Sequence, residues 1–150
     1  MALVFDIETN GLLKDLTKVH CLCIGDTDTG IVDAYSVLTD DIEAGLSRLL
    51  KAEQIIGFNS LSFDLPALTK VYPEMKALEE RTDWRQNLDL ILVTRLKYPD
   101  TTGMDFHRMR SGFPRELLGR HSLKAWGYRI GVIKGNYGET SDWAECTPEM

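Results

Sequence analysis

Cysteine is scarce in this sequence, and long apolar runs are missing from it. Its three cysteines include Cys21 and Cys23, which one residue separates in a strand-like stretch, and no second pair at zinc-site spacing accompanies them. We therefore expect reduced, buried thiols at these two positions and no zinc site. No apolar run reaches the length of a membrane span or a signal peptide, so the sequence predicts a cytoplasmic protein with no membrane partner.

Positive charge is in deficit, which argues against a protein that binds nucleic acid by bulk electrostatics alone. The formal net charge is −6, from 17 basic and 23 acidic residues. Between His107 and Lys134, however, the single acid Glu116 stands against seven basic residues, so this segment carries +6 and the remainder −12. The seven are Arg108, Arg110, Arg115, Arg120, Lys124, Arg129 and Lys134. This segment suits a phosphodiester held by cations; the alternative is a solvated helix face beside an arginine-rich loop.

The first dozen residues contain an apolar, β-prone run that carries two carboxylates. Because side chains alternate along a strand, Asp6 and Glu8 share one face, and we expect Val4, Phe5 and Ile7 to belong largely to the core. Two like charges on a buried strand are costly unless a cation neutralises them, which makes a divalent metal site the working hypothesis. The alternative is a pair of solvated residues at a sheet edge.

The order of the next elements predicts an α/β fold built on a mixed sheet with helices on its faces. Strand-like stretches over Lys18–Gly25 and Ile31–Val37 follow the first strand and predict an antiparallel meander. Helical spacing then runs to about Ala52, with an N-cap expected within Thr39–Asp41. The short apolar stretch Gln54–Phe58 predicts a buried strand parallel to the first one.

A third carboxylate, Asp64, opens the helix that follows this parallel strand. Because the carboxyl ends of neighbouring parallel strands meet at one edge of a sheet, we expect Asp6, Glu8 and Asp64 to converge there. Such a cluster suits two Mg²⁺ or Mn²⁺ ions about 3.5–4 Å apart, which together promote in-line hydrolysis of a phosphodiester. The sequence therefore predicts metal-dependent phosphodiester cleavage.

The second half of the chain is less regular. Pro73 ends the helix that Asp64 opens, and a further helix is predicted over Leu90–Leu96, with Asp89 as its cap. Prolines and glycines between Lys97 and Arg120 predict an irregular loop, after which Ser122 caps a short helix. His107 and His121 are expected to be surface residues or phosphate contacts. The length of 150 residues predicts one domain over residues 1–150.

Two motifs together resemble those of the DEDD 3′→5′ exonucleases: Phe5-Asp-Ile-Glu-Thr-x-Gly-Leu12 and Asn59-x-x-x-Phe-Asp64. The resemblance implies a ribonuclease H-like fold with a five-stranded mixed sheet, three antiparallel strands followed by parallel ones. Later stretches, including His121-Ser-Leu-Lys-Ala-Trp-Gly-Tyr-Arg-Ile-Gly131, are similar to the proofreading domain of phage family A replicative DNA polymerases. The resemblance implies action on the 3′ end of single-stranded DNA, in the cytoplasm of a phage-infected bacterial cell.

The resemblance also implies roles for individual residues. Asp6, Glu8 and Asp64 would be catalytic residues that hold two metal ions. Leu12 and Phe63 would pack against the base of the terminal nucleotide, and Thr9 and Asn59 would contact its sugar or backbone. Each has an alternative, because Thr9 and Asn59 suit turns and Leu12 and Phe63 suit a core. Arg110 and Arg120 would contact the substrate strand.

A third motif of this family, Tyr-x-x-x-Asp or His-x-x-x-x-Asp, is not found near the end of the sequence. Four positions after Tyr137 the sequence has Ser141, which is not an acid, and the acid Asp142 comes one position later. At about 100° per residue, a helix would turn Asp142 away from the face that bears Tyr137. We therefore expect an exonuclease domain truncated before this motif and without a polymerase domain. It should bind the second metal poorly and hydrolyse DNA slowly or not at all, unless a polymerase polypeptide completes the site. A ribonuclease D-like nuclease and a non-catalytic binding module are the alternatives.

Overall fold

The computed structural model describes residues 1–109, 112–133 and 145–147 of the 150-residue chain. Within these ranges the chain divides into two compact units. The first unit holds residues 1–89 together with 145–147, and the second holds residues 90–109 and 112–133.

The first unit is built on a mixed five-stranded sheet in the order β3-β2-β1-β4-β5. β1 pairs with β2 and β2 with β3 in antiparallel fashion, whereas β1 with β4 and β4 with β5 are parallel. The strands are β1 (Ala2–Thr9), β2 (Val19–Asp26), β3 (Val32–Ser36), β4 (Gln54–Gly57) and β5 (Asn87–Asp89). The predicted meander and the predicted parallel strand are confirmed; β5 is shorter than pattern analysis can detect.

Alternation along β1 separates the core from the face that bears the carboxylates. Leu3, Phe5 and Ile7 are at most 5% exposed and belong to the main hydrophobic cluster. The expectation that Val4 belongs to the core is wrong, because its side chain lies on the opposite face with Asp6 and is 42% exposed. The strict period of two along a strand fixes this outcome.

The first unit contains two longer helices, and the first of them packs against the antiparallel strands β2 and β3. α1 spans Ile42–Lys51, and its buried Gly45 allows close packing, because a Cβ there would lie 2.7 Å from the Tyr35 ring. The predicted N-cap falls one residue before the helix, but the Asp41 carboxylate accepts hydrogen bonds from Ser36 N (2.8 Å) and Thr39 Oγ1 (2.7 Å) instead of capping α1. α2 spans Asp64–Val71, with Asp64 at its start as predicted; a 3₁₀ turn (Pro73–Met75) and α3 (Lys76–Glu79) follow.

The second unit contains a helix that the sequence did not predict. Its elements are α4 (Leu90–Lys97), α5 (Thr102–Arg108), a 3₁₀ turn (Arg115–Leu117) and α6 (Leu123–Ile130). The prediction of an irregular loop over Lys97–Arg120 is therefore wrong where α5 forms. Buried Arg129 donates to Asp105 (2.8 Å to each oxygen) and to Thr101 Oγ1 (2.9 Å), a distant network that stabilises the helix despite Gly103.

The start of α6 agrees with the prediction, and the predicted buried thiols are confirmed at Cys21 but not at Cys23. Ser122 Oγ accepts a hydrogen bond from Ala125 N at 3.2 Å, and Gly131 ends the helix with φ of 78°. Cys21 is buried, Cys23 is half-buried, and neither forms a disulfide. Within the described residues, no helix is long and apolar enough to cross a membrane. Helices on both faces of the sheet stay a prediction.

Candidate active site

The end of β1 presents the first two carboxylates on the face opposite the core. Asp6 is exposed and Glu8 is half-buried. They pair in register with Cys23 and Cys21 of β2. The strand therefore orients both carboxylates to one side, as the sequence predicted.

Asp64 brings the third carboxylate to this region from the first turn of α2. It is 5% exposed, and burial together with the nearby Asp6 charge raises the pKa of its carboxyl to about 7. Hydrogen bonds from the backbone of Asp64 and Ile7 favour the charged form and partly offset this rise in the pKa, whereas the Asp89 charge adds to it. Asp6 and Asp64 are thus close enough to repel each other, a situation that a bound cation relieves.

The carboxylate oxygens of the site suit a hard divalent cation, but the described residues do not form a complete set of metal ligands. Carboxylate oxygens are the ligands that Mg²⁺ and Mn²⁺ prefer. Among the residues that the structure describes, no three His, Cys, Asp or Glu side chains are arranged to hold a metal ion. The structure therefore brings Asp64 to Asp6, and the three-carboxylate metal site stays a prediction.

A cavity of about 260 Å³ adjoins the carboxylates within the first unit. It is lined by Glu8, Thr9, Gly11, Leu12 and Phe63. Leu12 is 75% exposed, so the alternative that it is a core residue is wrong. Phe63 packs against the main hydrophobic cluster, as the core alternative expected, and it also lines the cavity; its contact with a base stays a prediction. The cavity has the apolar walls that a nucleobase requires.

Thr9 and Asn59 both have the turn functions that their residue types suggested. Thr9 Oγ1 donates a hydrogen bond to the Gly11 carbonyl oxygen at 2.8 Å. Asn59 has a left-handed backbone conformation, with φ of 65°, which asparagine tolerates better than most residues. Their contacts with a nucleotide stay predictions.

The loop after β1, which bears Leu12, is fastened at two points that the sequence did not reveal. Lys70 of α2 donates from Nζ to the carbonyl oxygens of Leu13 and Lys14, each at 3.0 Å. Asn10 Oδ1 accepts from Thr17 N at 2.9 Å. An asparagine after a strand is a general turn signal, whereas no local pattern identifies the partners of Lys70, 56 and 57 residues away.

Asp89 also has a function that the sequence did not reveal. It ends β5 and is 3% exposed, and its two carboxylate oxygens accept from Asn59 N (2.8 Å) and Leu61 N (3.1 Å). The sequence predicted Asp89 only as the cap of the following helix and gave no indication that it contacts the loop between β4 and α2. The only sequence signal is a polar residue at the end of a short apolar stretch.

Three of the predicted phosphate or substrate contacts, Arg120, His107 and His121, lie in the described part of the second unit. Arg120 is exposed, and its carbonyl oxygen accepts from Arg129 Nη2 at 2.7 Å. His107 is exposed, and the His121 ring lies 6.1 Å from that of Trp126. Arg110, Tyr137 and Asp142 lie outside the described residues.

Comparison with protein families decides the family of this chain. A family model of the RNase H superfamily matches residues 3–105, which include β1 to β5 and all three predicted carboxylates. The chain belongs to the ribonuclease H superfamily. The predicted fold class, a mixed sheet with three antiparallel strands followed by parallel ones, is confirmed by the strand order and by this superfamily match.

Individual relatives agree with the superfamily assignment. DNA-directed DNA polymerases of Escherichia phage T7 and Enterobacteria phage T3 are 34% and 35% identical to this chain over 141 residues, or 90% of the chain and 20% of each polymerase. The chain thus spans about one fifth of the length of these relatives. The EXO domain of Aedes aegypti Nibbler has a similar fold, with a TM-score of 0.62 at 16% identity over 96% of this chain and 65% of that one. The resemblance to phage DNA polymerases is confirmed.

Proposed function

We propose that this chain is the 3′→5′ exonuclease domain of a phage-type DNA polymerase and removes nucleotides from the 3′ end of single-stranded DNA. The observation that carries the proposal is the position of buried Asp64, whose charge interacts with that of Asp6 beside the cavity formed by Leu12 and Phe63. Similarity to two phage DNA polymerases over 90% of the chain supports DNA as the substrate over RNA. The cytoplasm of an infected bacterium is the compartment in which such a domain would act.

Asp6, Glu8 and Asp64 would hold the divalent ions on which nucleases of this fold generally depend. When bound, Mg²⁺ or Mn²⁺ supplies a hydroxide nucleophile at neutral pH and stabilises charge on the phosphate oxygens. The chain's own contribution is to orient three carboxylates from β1 and α2. Asp64 itself is 5% exposed and is therefore largely shielded from bulk water.

Residues around the cavity would bind the terminal nucleotide. Leu12 and Phe63 offer apolar surface to its base, and Thr9 and Asn59 offer polar groups to its sugar or backbone. Arg110 and Arg120 belong to the basic segment and would contact phosphates of the preceding nucleotides. These contacts position the strand without reading its sequence.

A further acidic group is part of the proposal. The sequence contains neither Tyr-x-x-x-Asp nor His-x-x-x-x-Asp near its end, and these motifs supply a fourth carboxylate in the resembled family. We propose that residues 1–150 form the exonuclease domain, that Asp6, Glu8 and Asp64 bind one ion well, and that a polymerase polypeptide supplies the group that completes a two-ion site.

Degradation of a labelled single-stranded DNA in Mn²⁺ tests the proposal. The parent should shorten the strand stepwise but slowly from its 3′ end, because its two-ion site lacks the fourth carboxylate. Asp6→Ala/Glu8→Ala should lower the rate by a further factor of more than about 100, because losing direct metal ligands costs more than losing the residues that support them. Asp28→Ala/Glu43→Ala removes the same charge from exposed positions and is the matched control. Equal rates in the parent and the Asp6→Ala/Glu8→Ala variant would contradict the proposal. Absence of cleavage by either would indicate an incomplete or non-catalytic version of the domain.

A further inference from the structure

Asp89 is a buried carboxylate whose hydrogen bonds join β5 to the loop between β4 and α2. The carboxylate is 3% exposed and accepts from Asn59 N at 2.8 Å and from Leu61 N at 3.1 Å. Hydrogen bonds to an ionised acceptor are roughly twice as strong as neutral ones, and buried amides left without an acceptor are costly. The carboxylate therefore stabilises the backbone of this loop.

The loop has a conformation that needs such a constraint. After β4 the chain reverses so tightly that a Cβ on Gly57 would lie 2.4 Å from Ser60 Cβ, and Ser60 is completely buried. Asn59, with its φ of 65°, is the residue that turns the chain. A left-handed non-glycine residue persists only where its surroundings hold it. Asp89 supplies two of those contacts, one on either side of Ser60.

The same loop leads directly into the residues of the candidate active site. The Asn59 carbonyl oxygen accepts from Phe63 N at 3.1 Å, and the Ser60 carbonyl oxygen accepts from Leu65 N at 2.9 Å. The loop backbone is thus continuous with the first turn of α2, which begins at Asp64. A shift of the loop at Asn59 would move Phe63 and Asp64 with it.

We propose that Asp89 is a positioning residue for the active site: by holding the backbone of Asn59 and Leu61, it fixes Asp64 relative to β1 and Phe63 relative to the cavity. This inference rests on the proposed function. Asp89 does not touch the reacting atoms in this account, because both of its oxygens bind backbone amides. Its effect on the site passes through the loop.

Two readouts on the whole chain test this role. Amide hydrogen exchange at Asn59 and Leu61 measures the loop, and Mn²⁺ affinity, measured from the electron paramagnetic resonance of the free ion, reports on Asp64. Asp89→Ala should speed exchange at both amides and weaken Mn²⁺ binding roughly tenfold, as loss of supporting contacts does at other metal sites. Asp89→Asn preserves the side-chain volume and one acceptor oxygen, so it should show a smaller effect of the same kind and guards against misfolding.

Asp83→Ala is the matched control. Asp83 also accepts a backbone hydrogen bond, from Arg85 N at 2.9 Å, but within its own turn, so neither readout should change at the site. Asp64→Asn replaces one anionic ligand with a neutral amide oxygen, which is a weaker ligand for Mn²⁺. Unchanged exchange in Asp89→Ala, or faster exchange with Mn²⁺ affinity equal to that of the parent, would overturn the role of Asp89 and leave the proposed function intact. Equal Mn²⁺ affinity in the parent and Asp64→Asn would contradict the proposed function, and the role of Asp89 with it.

Discussion

At the scale of single residues, Asp64 carries opposing demands of stability and function. A carboxylate that is 5% exposed and near another negative charge disfavours its own ionisation, which raises its pKa to about 7. The same arrangement favours a cation, which would stabilise the charged form. A residue that is unfavourable in the metal-free fold is typical of sites built for binding.

This opposition predicts how stability depends on pH. The pKa of Asp64 is 3.8 in the unfolded reference and about 7 in the fold, so its protonated form stabilises the metal-free fold fully below pH 3.8, and this stability is lost as pH rises through 7. Asp64→Asn should therefore raise the free energy of unfolding at pH 8, by up to about 4 kcal/mol, and by less at pH 5. Urea denaturation in EDTA at both pH values measures the difference.

The control for this measurement is Asp28→Asn, which changes an exposed carboxylate in the turn between β2 and β3. It should leave the free energy of unfolding nearly unchanged at both pH values. A gain from Asp64→Asn that does not grow between pH 5 and pH 8 would show that the Asp64 carboxylate is not disfavoured in the fold.

At the scale of elements, the loop after β1 forms one wall of the cavity, and contacts with α2 hold this loop in position. Lys70 holds the carbonyl oxygens of Leu13 and Lys14, immediately after Leu12. Lys70→Ala should weaken binding of a deoxynucleoside 5′-monophosphate about threefold to tenfold. The loss of affinity should stay in this range because the two hydrogen bonds from Lys70 are exposed to solvent, and exposed charged hydrogen bonds contribute less than buried ones. Equilibrium dialysis in Mn²⁺ measures the affinity.

Lys51→Ala, at the exposed end of α1, removes the same charge and serves as the comparison. Lys70→Arg should restore part of the affinity, since a guanidinium also donates to carbonyl oxygens. Nucleotide affinity that is equal in Lys70→Ala and Lys51→Ala would mean that the loop does not depend on Lys70.

Most elements could be predicted from the sequence because their causes are local. Alternation along β1 identified the face of Asp6 and Glu8, and Ser122 marked the start of α6. The helix α5 could not be predicted, because its stability comes from Arg129, 24 residues after Asp105. Long-range contacts of this kind leave no periodic pattern.

The candidate site divides in the same way. Its carboxylates could be predicted because a strand and a helix start determine their positions, and the superfamily match includes all three. The contacts that position them could not, since Asp89 lies 30 residues from Asn59, and Lys70 binds a loop more than 50 residues away. The assignment of Val4 to the core was wrong for a local reason, because the period of two along β1 places Val4 on the face of Asp6 and Glu8.

At the scale of the whole molecule, charge is separated along the chain. The three candidate metal ligands, Asp6, Glu8 and Asp64, lie in the first unit, whereas the segment with a net charge of +6 lies between His107 and Lys134. Opposite charges in separate segments suit a substrate that bears phosphates and whose end meets metal ions. The central claim is that Asp6 and Asp64 form the metal end of this arrangement.

A crystal structure of the chain with Mn²⁺ and a deoxynucleoside 5′-monophosphate tests that claim most directly, because anomalous scattering locates the ion. The account predicts an anomalous peak at coordination distance from Asp6 and Asp64, with the base between Leu12 and Phe63 and the phosphate toward the ion. Mn²⁺ bound at other residues, with the nucleotide outside the cavity, would contradict it.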